Sequence, residues 1–357
     1  MKNIVFTFFV LIFISCNDSS EEKYHQIKNN YHTALDELKN NFLKAVTEEE
    51  KMALMKKMPD NEAYIKNIYD LVSTNHNSNY ATDAWSELFN STWYKNDSIF
   101  ETTIDALINK HTKSGGLTSI APIALAKNNN LKTEKFIKKV LKENPNQKIK
   151  GIYTLALAQK YTRKKASKFY NLEKGLELFN SLKENYGFIE IEYGDEQKLT
   201  KLATIADNAI FSLTAMSIGN KMPEIISKDL MGNEVKLSDY SGNVIVLDVW
   251  ATWCGPCIKM IPHQLKMVER LKNKPFQLIS ISLDEKVATI NKFQQKTKMP
   301  WVNWHNGKTG GVIDDWSITQ YPTIFILDNK GIIRHRSNGP MSDLELDTFV
   351  DKLLDSH

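Results

Sequence analysis

Residues 249–262 read VWATWCGPCIKMIP, two cysteines three positions apart between a tryptophan and a proline, in a chain with only one other cysteine, Cys16. The stretch closes an apolar run, NVIVLDVWA, which reads as a buried strand, so the pair stands where a strand hands over to a helix. A redox centre, half of a metal site and a structural staple all use such a pair. The position favours the first. Unsatisfied amides and the positive end of the dipole at a helix start stabilise an anion, so Cys254 ionises readily and is the candidate nucleophile. Gly255 lets the chain turn sharply, and Pro256 suits a first helical turn, where no amide hydrogen is required. Cys257, one turn along, is placed to resolve a mixed disulfide formed at Cys254. A structural zinc would need four ligands, and neither a second C-x-x-C nor an H-x-x-x-H is present; the nearest histidines, His263 and His305, lack paired spacing. As a staple, so short a loop would constrain the unfolded chain little.

Outward from the pair, the segment after SIGNKMPEI alternates short β-rich runs with helical patterns. NVIVLDVWA, FQLISISL and TIFILD are the strands, and this alternation implies a parallel component with crossover helices. TIFILDNKGIIRHRS reads as an antiparallel hairpin turning around Asn329 to Gly331. Ser342 and Glu345 suggest a capping box ahead of a closing helix bearing Leu344, Phe349 and Leu353. From Ser20 to about Asn220 the pattern is helical instead: Tyr24, Ile27, Tyr31, Leu35, Leu38 and Phe42 fall at three- and four-residue spacings, with breaks at MPDNE, KSGG, KENPNQK, NYGF and EYGDE. No fixed repeat period emerges, which favours an irregular helical bundle over a tetratricopeptide array. The expected fold class is therefore an all-helical N-terminal domain, residues 16–216, followed by an α/β domain with a central mixed sheet, residues 217–357.

VLDVWATWCGPC resembles the thioredoxin superfamily, and the whole layout resembles its TlpA/ResA-like membrane-anchored branch. The resemblance covers about residues 217–357 and implies a thioredoxin-like fold. It assigns Trp253 as the active-site tryptophan and Asp248 as the buried acid that exchanges a proton with the resolving Cys257. An unpaired charge inside VIVLDVW implies a raised pKa for that acid. Pro262 falls where the family's active-site helix is kinked. QYPTIFILD resembles the loop with the family's cis-proline, which makes Tyr321 and Pro322 neighbours of the disulfide. The long stretch before that loop resembles the branch's inserted helix and strand, and Glu285 matches a glutamate that lies near the site in that group; a solvent-facing acid at a helix start reads equally well there. His263, Trp301 and Trp304 read as surface or core residues.

The leader MKNIVFTFFVLIFISC has one early cation and an apolar run from Ile4 to Ile14, short for a membrane span but suited to a signal peptide, residues 1–15, with ordinary cleavage nearby or an uncleaved anchor as the other readings. It resembles a bacterial lipoprotein signal, with Ser15 before a lipidated Cys16; Phe13 departs from the leucine usual there. With Cys16 acylated, Cys254 and Cys257 are the only thiols left, so the domain must fold on its own core rather than on staples. A net charge of +4, divided +3 and +1 at residue 217, gives neither half the basic field of a nucleic-acid binder. The sequence thus points to a lipid-anchored thiol-disulfide oxidoreductase on the extracytoplasmic, periplasmic side of the cell envelope. It would act on disulfides of exported proteins and draw electrons from a membrane thiol-disulfide carrier, with no metal and no cofactor. The Gly255-Pro256 dipeptide matches the reducing thioredoxins and favours a reductase. Two other readings carry less: a helical module that recruits a partner while the redox domain regulates or oxidises, and a peroxidase, whose single-cysteine motif is absent. Oligomeric state is not legible.

Overall fold

The computed structural model describes residues 19–95, 97–163, 167–194, 198–307, 316, 318 and 320–356; the leader and Cys16 lie outside the described residues. By packing, the chain divides into two units, one up to Gly175 and one from Leu176 onward. No described helix is long and apolar enough to cross a membrane.

The N-terminal unit is helical because polar caps and breaks bound each apolar stripe. Its helices are α1 (Ser19–Lys44), α2 (Glu48–Met55), α3 (Asn61–Thr74), α4 (Ala81–Thr92), α5 (Ser98–Ala106), α6 (Pro122–Lys127), α7 (Leu131–Glu143) and α8 (Gln147–Thr162). Asp60, Asp97, Asn130 and Asn146 cap α3, α5, α7 and α8 by accepting first-turn amide hydrogens. α8 is buried nearly all round, from Ile149 through Tyr161, and forms the unit's core helix. α1 is attached more lightly. Tyr24 is its one buried described residue, with its hydroxyl donating to Asp83 Oδ2 at 2.5 Å and its ring stacked on Tyr80.

The second unit begins within α9 (Leu172–Tyr186) and continues through β1 (Glu190–Tyr193), β2 (Lys198–Lys201) and α10 (Leu202–Thr214). The antiparallel β1–β2 pair corrects the expectation of an all-helical segment up to residue 216. Its cause is local: FIEIEY alternates apolar and polar residues with period two, and the helical pattern on both sides masks it. The expected boundary at 216/217 marks where the strand–helix alternation starts; the boundary by packing lies earlier.

The main sheet runs β4-β3-β7-β6-β5-β8-β9, from β3 (Ile226–Asp229), β4 (Glu234–Lys236), β5 (Val244–Trp250), β6 (Phe276–Ser282), β7 (Val302–His305), β8 (Thr323–Leu327) and β9 (Ile333–Asn338). It is mixed: β5, β6 and β7 are parallel neighbours, while β8 and β3 join antiparallel and carry β9 and β4 on the outer edges. α11 (Gly255–Leu271) crosses from β5 to β6 and α12 (Val287–Gln294) from β6 to β7, while α13 (Asp343–Asp355) closes the chain. Every residue of β5 is buried, as a central strand covered on both faces requires. On α13, Ser342 caps by accepting from the Glu345 amide, but Leu344 points to solvent, and Leu346 and Val350 enter the core instead.

Candidate active site

The two cysteines sit at the C-terminal end of β5. Ala251, Thr252 and Trp253 form the turn, and Cys254 is the N-cap of α11, in extended backbone conformation, with its Sγ accepting from the Cys257 amide at 3.3 Å. Cys254 and Cys257 are joined as a disulfide with their Cα atoms 5.3 Å apart, so the site is in its oxidised form. Pro256 occupies the first turn of α11 and Pro262 its interior. Both cysteines are almost fully buried, at 5% and 2% exposure, whereas the adjacent Trp253 is 57% exposed. The Tyr321–Pro322 peptide bond is cis. Tyr321 stands edge-on against Trp253, ring centroids 5.6 Å apart, and β8 begins at Thr323. Exposed Trp253, with half-buried Tyr321 against it, therefore stands next to a nearly buried disulfide.

Asp248, 3% exposed, lies within β5, the strand that leads into the cysteine turn. Gln264 Nε2, from the inward face of α11, donates to Asp248 Oδ2 at 2.9 Å, and Oδ1 has no partner among the described residues. Burial pushes the Asp248 carboxyl up to about 6, with the Gln264 hydrogen bond opposing the rise. An acid poised there can take up and release a proton near neutral pH. Gln264 is a residue that the sequence reading missed. The signal is present: along Cys257, Met260, Ile261, Gln264, Met267 and Leu271 it is the one amide in a buried, otherwise apolar or thiol-bearing stripe.

Glu285 is exposed, and the acid turned into the protein is its neighbour Asp284, 2% exposed. Asp284 accepts from the Thr252 amide at 3.0 Å, the Thr252 hydroxyl at 2.6 Å and the Ser282 hydroxyl at 2.9 Å. Its carbonyl oxygen lies 2.8 Å from His305 Nε2. The loop that delivers Cys254 is thus tied to the end of β6 two residues before the cysteine. Trp301 and Trp304 are core residues, the former donating to Ser280 Oγ at 2.8 Å. His263 lies on α11 against Asp343 and Asp347 of α13, away from the disulfide's end of the helix. Among the described residues, no group of three or more His, Cys, Asp or Glu gathers as a metal site would require.

Residues 218–336 match the model of the AhpC/TSA family. Among curated proteins, the chain is similar to the thiol-disulfide oxidoreductase ResA of Geobacillus kaustophilus, 24% identical over 42% of this chain and 86% of that protein. It is also similar to ResA of Bacillus thuringiensis subsp. konkukian, 28% identical over 39% of this chain and 79% of that protein. Among solved structures, a thiol:disulfide interchange protein DsbE from Chlorobium tepidum is 28% identical over 39% of this chain and 98% of that one, with a TM-score of 0.37. The C-terminal region is thus a thioredoxin-like domain of the thiol-disulfide oxidoreductase type.

Proposed function

We propose that the chain is a lipid-anchored, extracytoplasmic protein-disulfide reductase. The observation that carries this reading is the placement of Cys254 at the N-cap of α11, one turn from Cys257, on a helix whose Gln264 is hydrogen-bonded to a buried acid with its carboxyl pushed up to about 6. In the dithiol form, the Cys254 thiolate attacks one sulfur of a substrate disulfide. The substrate's S–S bond breaks, a mixed disulfide forms, and the departing substrate thiolate takes a proton. The ionised Asp248 carboxylate then accepts the proton of Cys257, whose thiolate attacks Cys254 Sγ. The second substrate thiol is released, and the enzyme is left with the Cys254–Cys257 disulfide. Two electrons have moved from enzyme to substrate, so a dithiol donor must reduce the enzyme for the next turnover. A membrane thiol-disulfide carrier suits a site held at a membrane by an acylated Cys16, and the leader sequence supports that location. Exposed Trp253, backed by half-buried Tyr321, offers an aromatic rim on which a protein chain can rest while its disulfide reaches Cys254.

Trapping provides the test. Cys257→Ser is expected to accumulate a mixed disulfide through Cys254, and Cys254→Ser to abolish turnover; undiminished turnover in Cys254→Ser overturns the mechanism. Equilibration with glutathione fixes the direction. A potential near the thioredoxin value of about −270 mV supports a reductase, and one near about −120 mV makes the chain an oxidase.

A further inference from the structure

α2 is unusual in the N-terminal unit because none of its described side chains is buried. Leu54 is half-buried, and both methionines of the helix face solvent. Met52 and Met55 are each 58% exposed, and the adjoining Leu43, Val46 and Met58 are 75%, 87% and 58% exposed. Single exposed apolar side chains are ordinary, but five within the sixteen residues from Leu43 to Met58, two of them one turn apart on α2, are a concentration of the kind that marks an interaction surface. Methionine's flexible thioether suits a surface that must adapt to a partner.

The charges on α2 say which partner fits. Glu50 is committed to the helix start: its carboxylate accepts from the Val46 and Thr47 amides, completing a capping box with Thr47. Glu49 is left exposed at the acidic end, and Lys56 and Lys57 are exposed at the basic end. Neither Glu49 nor Lys56 has an ion-pair partner among the described residues. Glu49, Met52 and Lys56 are spaced three and four apart, so they line one face of the helix. The midpoint between Glu49 and Lys56 falls between Met52 and Ala53, at the centre of the apolar face. A twofold axis through that point sets Glu49 of one copy against Lys56 of the other, twice, with methionine on methionine between them. The antiparallel arrangement also opposes the two helix dipoles.

We propose that two copies of this chain associate through α2, packed antiparallel about a twofold axis, with Leu43, Val46 and Met58 at the margins of the contact. An anionic membrane surface fits less well, because Glu49 and Glu50 would face it. An eight-residue helix is only ~12 Å long, and the contact it makes is smaller than the ~800 Å² per partner of a standard interface. The association is therefore weak and concentration-dependent. It does not depend on the redox chemistry of the other unit.

Charge exchange tests it, read by sedimentation velocity of the full chain in detergent across a range of concentrations. The wild type is expected to pass from monomer to dimer as concentration rises. Glu49→Lys alone and Lys56→Glu alone each turn two attractions into two repulsions and should weaken the dimer about tenfold, whereas the double variant should return to within about threefold of wild type. Met52→Asp should weaken it without rescue by either charge change. A wild type that stays monomeric throughout, or single variants that dimerise as the wild type does, overturns the proposal. So does a double variant that unfolds at the wild-type temperature yet remains as weak as the singles.

Discussion

Asp248 is held where its charge is unwelcome, inside an otherwise apolar strand. Its carboxyl is raised from an ordinary 3.8 to about 6 in the fold, so the folded state binds a proton that the unfolded chain releases between those values. Its stabilising, protonated form is fully present below pH 4 and is lost as pH rises through 6, at a cost of ~3 kcal/mol once ionised. Asp248→Asn is therefore expected to unfold at the same temperature as wild type near pH 4 and at a higher temperature at pH 7 and above. Thermal melts of the oxidised protein across that range would show it. The same variant should lower turnover at pH 7 by ~10²-fold, because Cys257 loses its proton acceptor. An Asn variant with full turnover and an unchanged pH profile would remove Asp248 from the mechanism. Gln264→Leu acts in the other direction on the same group: without its hydrogen bond the carboxyl rises further, so the acid limb of the turnover profile should move to higher pH. Asp248 was legible in the sequence because a lone charge inside an apolar strand needs a reason. Gln264 was harder to see, since its partner is 16 residues away on another element.

Between elements, the tie from Asp284 to Thr252 has the larger consequence. β5 and β6 are parallel, so the loops leaving their C-terminal ends lie side by side, and a carboxylate after β6 can hold the turn before Cys254. Asp284→Ala leaves the Thr252 amide and the Ser282 hydroxyl without their acceptor and should cost about 2 kcal/mol of stability. If the tie also positions Cys254, the pH dependence of Cys254 alkylation in the reduced protein should shift in Asp284→Ala, and Asp284→Asn, which keeps part of the hydrogen bonding, should recover most of it. A loss of stability with an unmoved alkylation profile would leave Asp284 a structural residue only. The sequence could not separate Asp284 from Glu285. Both follow the last residue of β6, and which one turns inward depends on where the Thr252 loop arrives, a long-range fact. The β1–β2 hairpin was missed for a different reason: its two strands have four residues each, too short for their alternation to stand out among helical spacings. β5, β6 and β8, with longer β-branched runs, were legible outright.

At the scale of the molecule, the change of sequence pattern at residue 217 and the edge of the packed unit are different places, and the difference has energetic content. Residues before 217 complete the C-terminal unit. Met216 is 1% exposed in the same core as Met222, Ile225 and Leu237. Arg336 on β9 stacks over Phe325 at 5.1 Å and donates through Nη1 to Ser212 O and Ser212 Oγ, at 3.2 and 3.1 Å, at the C-terminal end of α10. Burial already lowers the Arg336 pKa, so a guanidinium deprived of those acceptors would be both charged and poorly satisfied. A fragment starting at Ser217 loses Ser212 and Met216 together, each worth about 2 kcal/mol. A fragment starting at Leu172 keeps α9 whole and retains both. The expected outcome is two fragments that share the redox chemistry of Cys254 and Cys257, with the shorter one melting roughly 10 °C lower. Arg336→Met in the shorter fragment should recover part of that deficit by removing the stranded charge, while in the longer one it should bring no gain. Equal melting temperatures for the two fragments would place the working boundary at 217 and make the contacts of α10 incidental to the domain.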